Sequence, residues 1–333
     1  MIDFRYHLVS LVSVFLALAV GIVLGAGPLK DSLGTTLQVQ VRALRDEKDG
    51  LRVQLGTANA ALQHRDDFIT AVTPNLISGA LADRSVAVVS LPDVSGDAVD
   101  PLVTAVTTAG GKVTGRVNIK SAWVDPAKAE TRSKVVSDLA AALPTGTVPS
   151  SGDVNVRLAN LLAGALVSSG AAPVSASTRA TTTVLDALRS ADLIEIKGNV
   201  SGLAGGAMVL APAIPVDGDA AVKATPGDDA MAEYISLATA LDTVGGGAVV
   251  TGPASSATDG GVLTALRKDD TAKSQVSTVD SGSTPMGVIT AVLAMREQLA
   301  GNSGAYGFGS GANDLLPTPA ALPKETTSPG VNR

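Results

Sequence analysis

The side chains able to do chemistry in this 333-residue chain are few, and their spacing excludes more than it offers. There is no cysteine, which removes disulfides, thiolate metal sites, iron–sulfur clusters and cysteine nucleophiles together. The two histidines, His7 and His64, lie before a long apolar run and inside a heptad-patterned run, so neither serves a folded pocket as base or ligand. A serine nucleophile would therefore lack a histidine to take its proton, and no G-x-S-x-G turn is present. The carboxylate pairs Asp228-Asp229 and Asp269-Asp270 read as helix N-terminal or loop charges rather than an acid/base couple. The thioethers Met208, Met231, Met286 and Met295 are the only soft ligands beyond residue 1, but they are spread through segments that read as core, where methionine fills gaps. No metal-binding spacing exists, the metal ligands stay unassigned, and the pattern reads against an enzyme.

A nucleotide is disfavoured by the same inspection. The turn after the first strand-like run reads Leu91-Pro92-Asp93-Val94-Ser95-Gly96, without G-x-G-x-x-G or a phosphate-loop lysine. Gly205-Gly206 and Gly245-Gly246-Gly247 stand before strand-like runs, where glycine serves turns. The formal net charge of -6 offers no basic stripe for phosphates, so nucleic acid is not an expected partner.

The elements that position these residues begin with a membrane anchor. Leu8 to Ala26 carries no charge over 19 residues. At 1.5 Å per residue that is about 28 Å, close to the roughly 30 Å of a bilayer's hydrocarbon core. Gly25, Ala26 and Gly27 could end a secretory signal, yet the run exceeds the roughly 7–15 apolar residues of such signals, and Pro28 suits a cut poorly. Residues 1–27 are thus expected to be a cytoplasmic stub plus a single transmembrane helix. Arg5 against Lys30 leaves the positive-inside count tied, and the short stub favours a cytoplasmic N-terminus with the bulk extracytoplasmic.

Residues 28–73 read as a coiled coil. Leu37, Val41, Leu44, Lys48, Leu51, Leu55, Ala58 and Leu62 follow alternating steps of four and three, with d at 37, 44, 51 and 58 and a at 41, 48, 55 and 62. Lys48 is the lone polar a residue, of the kind that fixes register or oligomer number. Arg42 with Asp46 and Arg45 with Asp49 add i,i+4 support. The seam implies a homodimer or a hetero-partner; the alternative, given Gly34, Gly50 and Gly56, is an amphipathic helix lying back on its own domain. Pro74 is expected to stop the helix.

After Asp83 the period changes. β-branched runs at 86–91, 112–119, 207–211, 248–251 and 275–279 alternate with helical stretches at 97–109, 125–143, 181–190, 228–243, 261–268 and 286–299, and Leu158 to Val167 reads as a short core helix rather than a second span. Alternation of this kind predicts an α/β domain over residues 74–309, Rossmann-like, with a mostly parallel sheet covered on both faces. Residues 310–333, with four prolines and no apolar period, read as a disordered tail.

Arg5-x-His7, Val9-Ser10-Leu11, Phe15-Leu16-Ala17-Leu18-Ala19, Gly21 and Leu24-Gly25, then Asp46-Glu47-Lys48 and Ala109-Gly110-Gly111-Lys112-Val113-Thr114-Gly115, resemble the landmarks of the mycobacterial copper transport (MctB) family of actinobacterial envelope proteins. The resemblance covers Met1 to about Phe308. It implies copper efflux or tolerance across the envelope, copper being the sole metal to consider, with an outer-membrane pore as one form. A lipid-embedded barrel would need girdles of aromatics, and beyond the anchor there are only Phe68, Trp123, Tyr234, Tyr306 and Phe308. Related chains resemble partners of a regulator of septal cell-wall hydrolysis, so the alternative reading is a noncatalytic scaffold acting through the coiled coil and the α/β domain.

Overall fold

The computed structural model describes residues 4–25, 29–169, 179–215 and 226–318, and the chain divides into two compact units, Met1–Arg65 and Asp66–Arg333. In the first, α1 (Phe4–Gly25) is a 22-residue helix, uncharged from Leu8 onward and exposed along its whole length. It is long and apolar enough to cross a membrane. Helix α2 (Leu29–Ile77) begins four residues later and runs for 49 residues, the part from Asp66 to Ile77 belonging to the second unit.

Pro74 does not stop α2, contrary to the sequence expectation: the helix continues to Ile77 with Pro74 inside it. Proline costs a helix the bond its N–H would have made. Here that loss falls in the last turn, and Ile77, wholly buried beside Leu81, holds that turn to the core.

The second unit is built on β1 (Ser85–Ser90), α3 (Val99–Thr108), β2 (Lys112–Ile119), α4 (Ala129–Ala142), α5 (Val154–Leu166), α6 (Arg179–Ser190), β3 (Ile194–Ile196), β4 (Gly206–Leu210), α7 (Asp228–Val244), β5 (Ala248–Thr251), α8 (Val262–Lys268), α9 (Ala272–Gln275), β6 (Ser277–Val279), α10 (Pro285–Gln298) and β7 (Ala305–Tyr306). The sheet order is β3-β2-β1-β4-β5-β6-β7. Every pairing is parallel except β2 with β3, so the sheet is mostly parallel.

Parallel strands are buried on both faces, and β1 is wholly buried accordingly. Its alternate residues divide between two cores. Ala87 and Val89 join Trp123, Leu158, Leu162, Leu188 and Leu241 under α4 to α8, whereas Val86 and Val88 join Leu102, Met208, Val292 and Met295 under α3 and α10. The predicted core helix is α5, capped by Asp153, whose carboxylate accepts from the N–H of Asn155 at 2.7 Å and of Val156 at 2.9 Å. Asp125 caps a short 3₁₀ turn, Pro126–Lys128, that leads into α4.

The glycine pairs serve close backbone approach as well as turns. A Cβ on Gly206 would lie 2.9 Å from the carbonyl oxygen of Gly247 and 3.0 Å from the sulfur of Met295, so only glycine lets β4 start there. The expected tail start also moves. Ser310 accepts from Arg267, and Asn313 N–H donates to Ala305, so residues 310–314 fold back along β7; residues 319–333 lie outside the described residues.

Candidate functional site

The polar chemistry of the sheet domain converges where α4, α5 and α7 begin. A cavity of about 320 Å³ is lined by Arg132 of α4, Asp153 and Asn155 at the start of α5, and Asp229 and Glu233 of α7. Arg132 and Glu233 are 4% and 6% exposed, a charge pair almost wholly out of water. The guanidinium is fully engaged: it donates to Asn155 Oδ1 at 3.0 Å, to the carbonyl oxygens of Ala122 and Asp125 at 3.1 and 2.7 Å, and to Glu233 Oε1 at 3.4 Å. Asn155 Nδ2 also donates to Glu233 Oε1, at 2.7 Å.

The other carboxylate oxygen, Glu233 Oε2, is buried with no hydrogen-bond partner. Burial therefore pushes the Glu233 carboxyl up to about 7, with Arg132 pulling it down and Asp153 and Asp229 pushing it further up. A carboxyl poised near neutrality can hold or release a proton at that atom, and the lone Arg132 charge is then either compensated or not.

A second buried pair clasps the C-terminal segment. Arg267 donates to Asp280 Oδ2 at 2.9 Å, to Thr278 Oγ1 at 2.9 Å and to the Tyr306 carbonyl at 3.0 Å; Asp280 accepts the N–H groups of Phe308 and Gly309, each at 2.8 Å. Gly307 has φ +126°, and a Cβ there would run into the Asp280 carboxylate. Tyr306 donates to Glu297 beneath the same segment. These groups satisfy one another, so the clasp is structural.

The sequence-derived candidates fall elsewhere. Leu37, Val41, Leu44, Lys48, Leu51, Leu55, Ala58 and Leu62 all lie on α2 and all are exposed. Leu44, Glu47, Lys48, Leu51, Arg52 and Leu55 line a shallow groove there. Asp228 and Asp229 occupy the first turn of α7, and Asp269 accepts from the N–H groups of Thr271 and Ala272 at the start of α9, so both carboxylate pairs are helix N-terminal charges. The methionines do not converge on one point: Met208 and Met295 are buried in the α3/α10 core, Met231 packs against the opposite core, and Met286 sits partly exposed in the first turn of α10. Among the described residues no group of three or more His, Asp or Glu is placed to hold a metal ion.

The Arg132–Glu233 pair joins residues 101 positions apart, and Arg267 of α8 meets Asp280 just past the end of β6. Sequence reading missed all four. The available signal was a charged residue at an inward position of an otherwise amphipathic helix: Arg132 among Val135, Val136 and Leu139, and Glu233 beside Tyr234 and Leu237.

Comparison with known proteins decides the relationship. The family described as "Copper transport outer membrane protein, MctB" matches residues 1–317. The chain belongs to the MctB family. A "Copper transporter MctB" of Mycobacterium tuberculosis is 32% identical over 318 residues, 94% of this chain and 98% of the relative. A protein of the same description from Mycobacterium leprae is 31% identical over 332 residues, 95% and 99% of the two chains. The MctB match thus includes α1, α2 and the sheet domain together.

Proposed function

We propose that this chain is an envelope protein of copper transport, held in a membrane by α1 with its N-terminus cytoplasmic and its α/β domain, Rossmann-like in strand order, on the outer side. Copper is the cargo. The observation that carries the reading is the extent of the family match, which takes in the apolar helix and the domain as one unit, with relatives of the same length described as copper transporters. The apolar α1, of mean hydropathy 2.7 in its most apolar window, supports the anchoring, because 22 helical residues reach about 33 Å. The described sheet is open, with β3 and β7 at its edges and helices on both faces, which supports action as an anchored α/β protein rather than as a single-chain barrel.

The test is the copper content and copper tolerance of a mycobacterial host whose own family member has been deleted. Restoring this chain is expected to lower accumulated copper and raise tolerance, and removal of residues 1–27 is expected to abolish both effects. Full-length chain present at normal level with no change in cell copper overturns the proposal.

A further inference from the structure

The apolar seam of α2 is left bare in one copy of the chain. Leu37, Leu44, Leu51, Leu55 and Leu62 are 48–64% exposed, and Val41 is 44% exposed. A stripe of this length on a helix of otherwise low hydrophobicity belongs against a partner helix. We infer that the occupant is a second copy of this chain, bound parallel and in register from Leu37 to Leu62 as a two-stranded coiled coil.

Three features select that occupant. The first is charge. With a at 48 and d at 51, Glu47 falls at g and Arg52 at e. A parallel in-register pair sets each g residue against the e residue five positions further along the other helix, so Glu47 of one copy meets Arg52 of the other, twice per dimer. An antiparallel pair sets e against e and would bring Arg45 near Arg52 of the second copy, like against like. Arg52 already lies 3.7 Å from Asp49 in its own helix, but both side chains are 69% exposed, and such a pair holds an arginine only weakly.

The second feature is Lys48. In the parallel arrangement an a residue packs beside the g residue of the other helix, so the Lys48 stem covers the seam while its ammonium reaches Glu47 of the second copy. In any other register Lys48 would face Val41, Leu55 or Leu62 without a carboxylate, so this one residue penalises slippage. The third feature rests on the membrane reading proposed above. Only three residues separate α1 from α2, so two copies anchored in one bilayer start their α2 helices at the same height and in the same direction.

The natural absence of cysteine gives a direct experiment on the full chain in detergent and in vesicles. Single substitutions Leu37→Cys, Leu51→Cys and Ala58→Cys, all at d, are each expected to form a disulfide-linked dimer under mild oxidation. Val53→Cys, at f on the far side of the helix, is expected to stay monomeric. Glu47→Arg and Arg52→Glu are each expected to reduce crosslinking through Leu51→Cys several-fold, and the two together to restore it. Crosslinking at no d position, at one alone, or equally at position 53 overturns the parallel dimer. Because the readout needs no copper, d-position crosslinks in a chain that fails to lower cell copper would leave the pairing standing and remove only the transport reading.

Discussion

Between Leu37 and Leu62 the large apolar side chains of α2 stand 44–69% exposed, while in the sheet domain Trp123, Leu158 and Leu162 are wholly buried and even the charges Arg132, Glu233, Arg267 and Asp280 are closed inside with partners. Among the described residues the domain closes its apolar core within one chain and leaves few buried polar atoms, Glu233 Oε2 among them, without a partner. The seam is not closed within one chain. Stability of the domain should therefore depend on its own residues alone, and the state of α2 should depend on protomer concentration. The single tryptophan, Trp123, lies fully buried in the domain, so its emission reports unfolding of that region without interference from α2.

The largest effect expected comes from breaking the clasp. Asp280→Ala removes the acceptor for Arg267 and for the Phe308 and Gly309 N–H groups, leaving a buried guanidinium without its carboxylate. Loss of one partner of a buried pair costs about 3–5 kcal/mol. Denaturant titration followed by Trp123 emission is expected to show a loss of this size, and a loss below about 1 kcal/mol would mean the segment is held by other contacts.

Next is a pH effect at Glu233. Its folded carboxyl is raised to about 7 from an ordinary 4.5, so the folded state binds its proton more tightly than the unfolded chain does. The associated stability is present below about pH 4.5 and is lost as pH rises through 7, an effect of at most about 3 kcal/mol. Glu233→Gln keeps an acceptor for Asn155 and cannot ionise. The difference in unfolding free energy between variant and parent is expected to shift in favour of the variant from pH 5 to pH 8. An unchanged difference across that range would show that Glu233 is ionised throughout.

The smallest effect on the domain is expected from the seam. Leu51→Ala should leave the Trp123 unfolding midpoint within about 0.5 kcal/mol of the parent, as for an exposed position. The same substitution should lower the dimer fraction of the full chain in detergent, measured by light scattering. A domain destabilised by more than 1 kcal/mol would erase the contrast between the two regions.

How far this arrangement was legible in the sequence depends on the range of the interaction. Runs such as Val86 to Val89 and Ala207 to Leu210 announce buried strands because a strand covered on both faces needs apolar residues at every position. The heptad recurrence from Leu37 to Leu62 is visible in the sequence because it is local, and the structure places all of it exposed on α2; its pairing is the proposal made above. β3 and β7, three and two residues long, carry too little pattern to register, and the antiparallel direction of β3 is set by the chain's path and not by its composition. Pro74 misled because its helix-breaking effect depends on how near the helix end lies and on what Ile77 is buried against. The polar pocket was illegible because Arg132, Asn155 and Glu233 come from three helices, and a charge inside a helix is read as surface until its counter-charge is known.

The central claim is that α2 is incomplete in one copy, and pulsed electron resonance between nitroxides tests it most directly. Labels go on Val39→Cys and, separately, on Ala60→Cys, both at f and so outside the seam, in the full chain reconstituted in vesicles. A parallel in-register pair predicts one short, narrow distance for each of the two variants. Long distances at both ends would show an antiparallel pair, and no dipolar signal at either end would show that a second copy does not cover the seam.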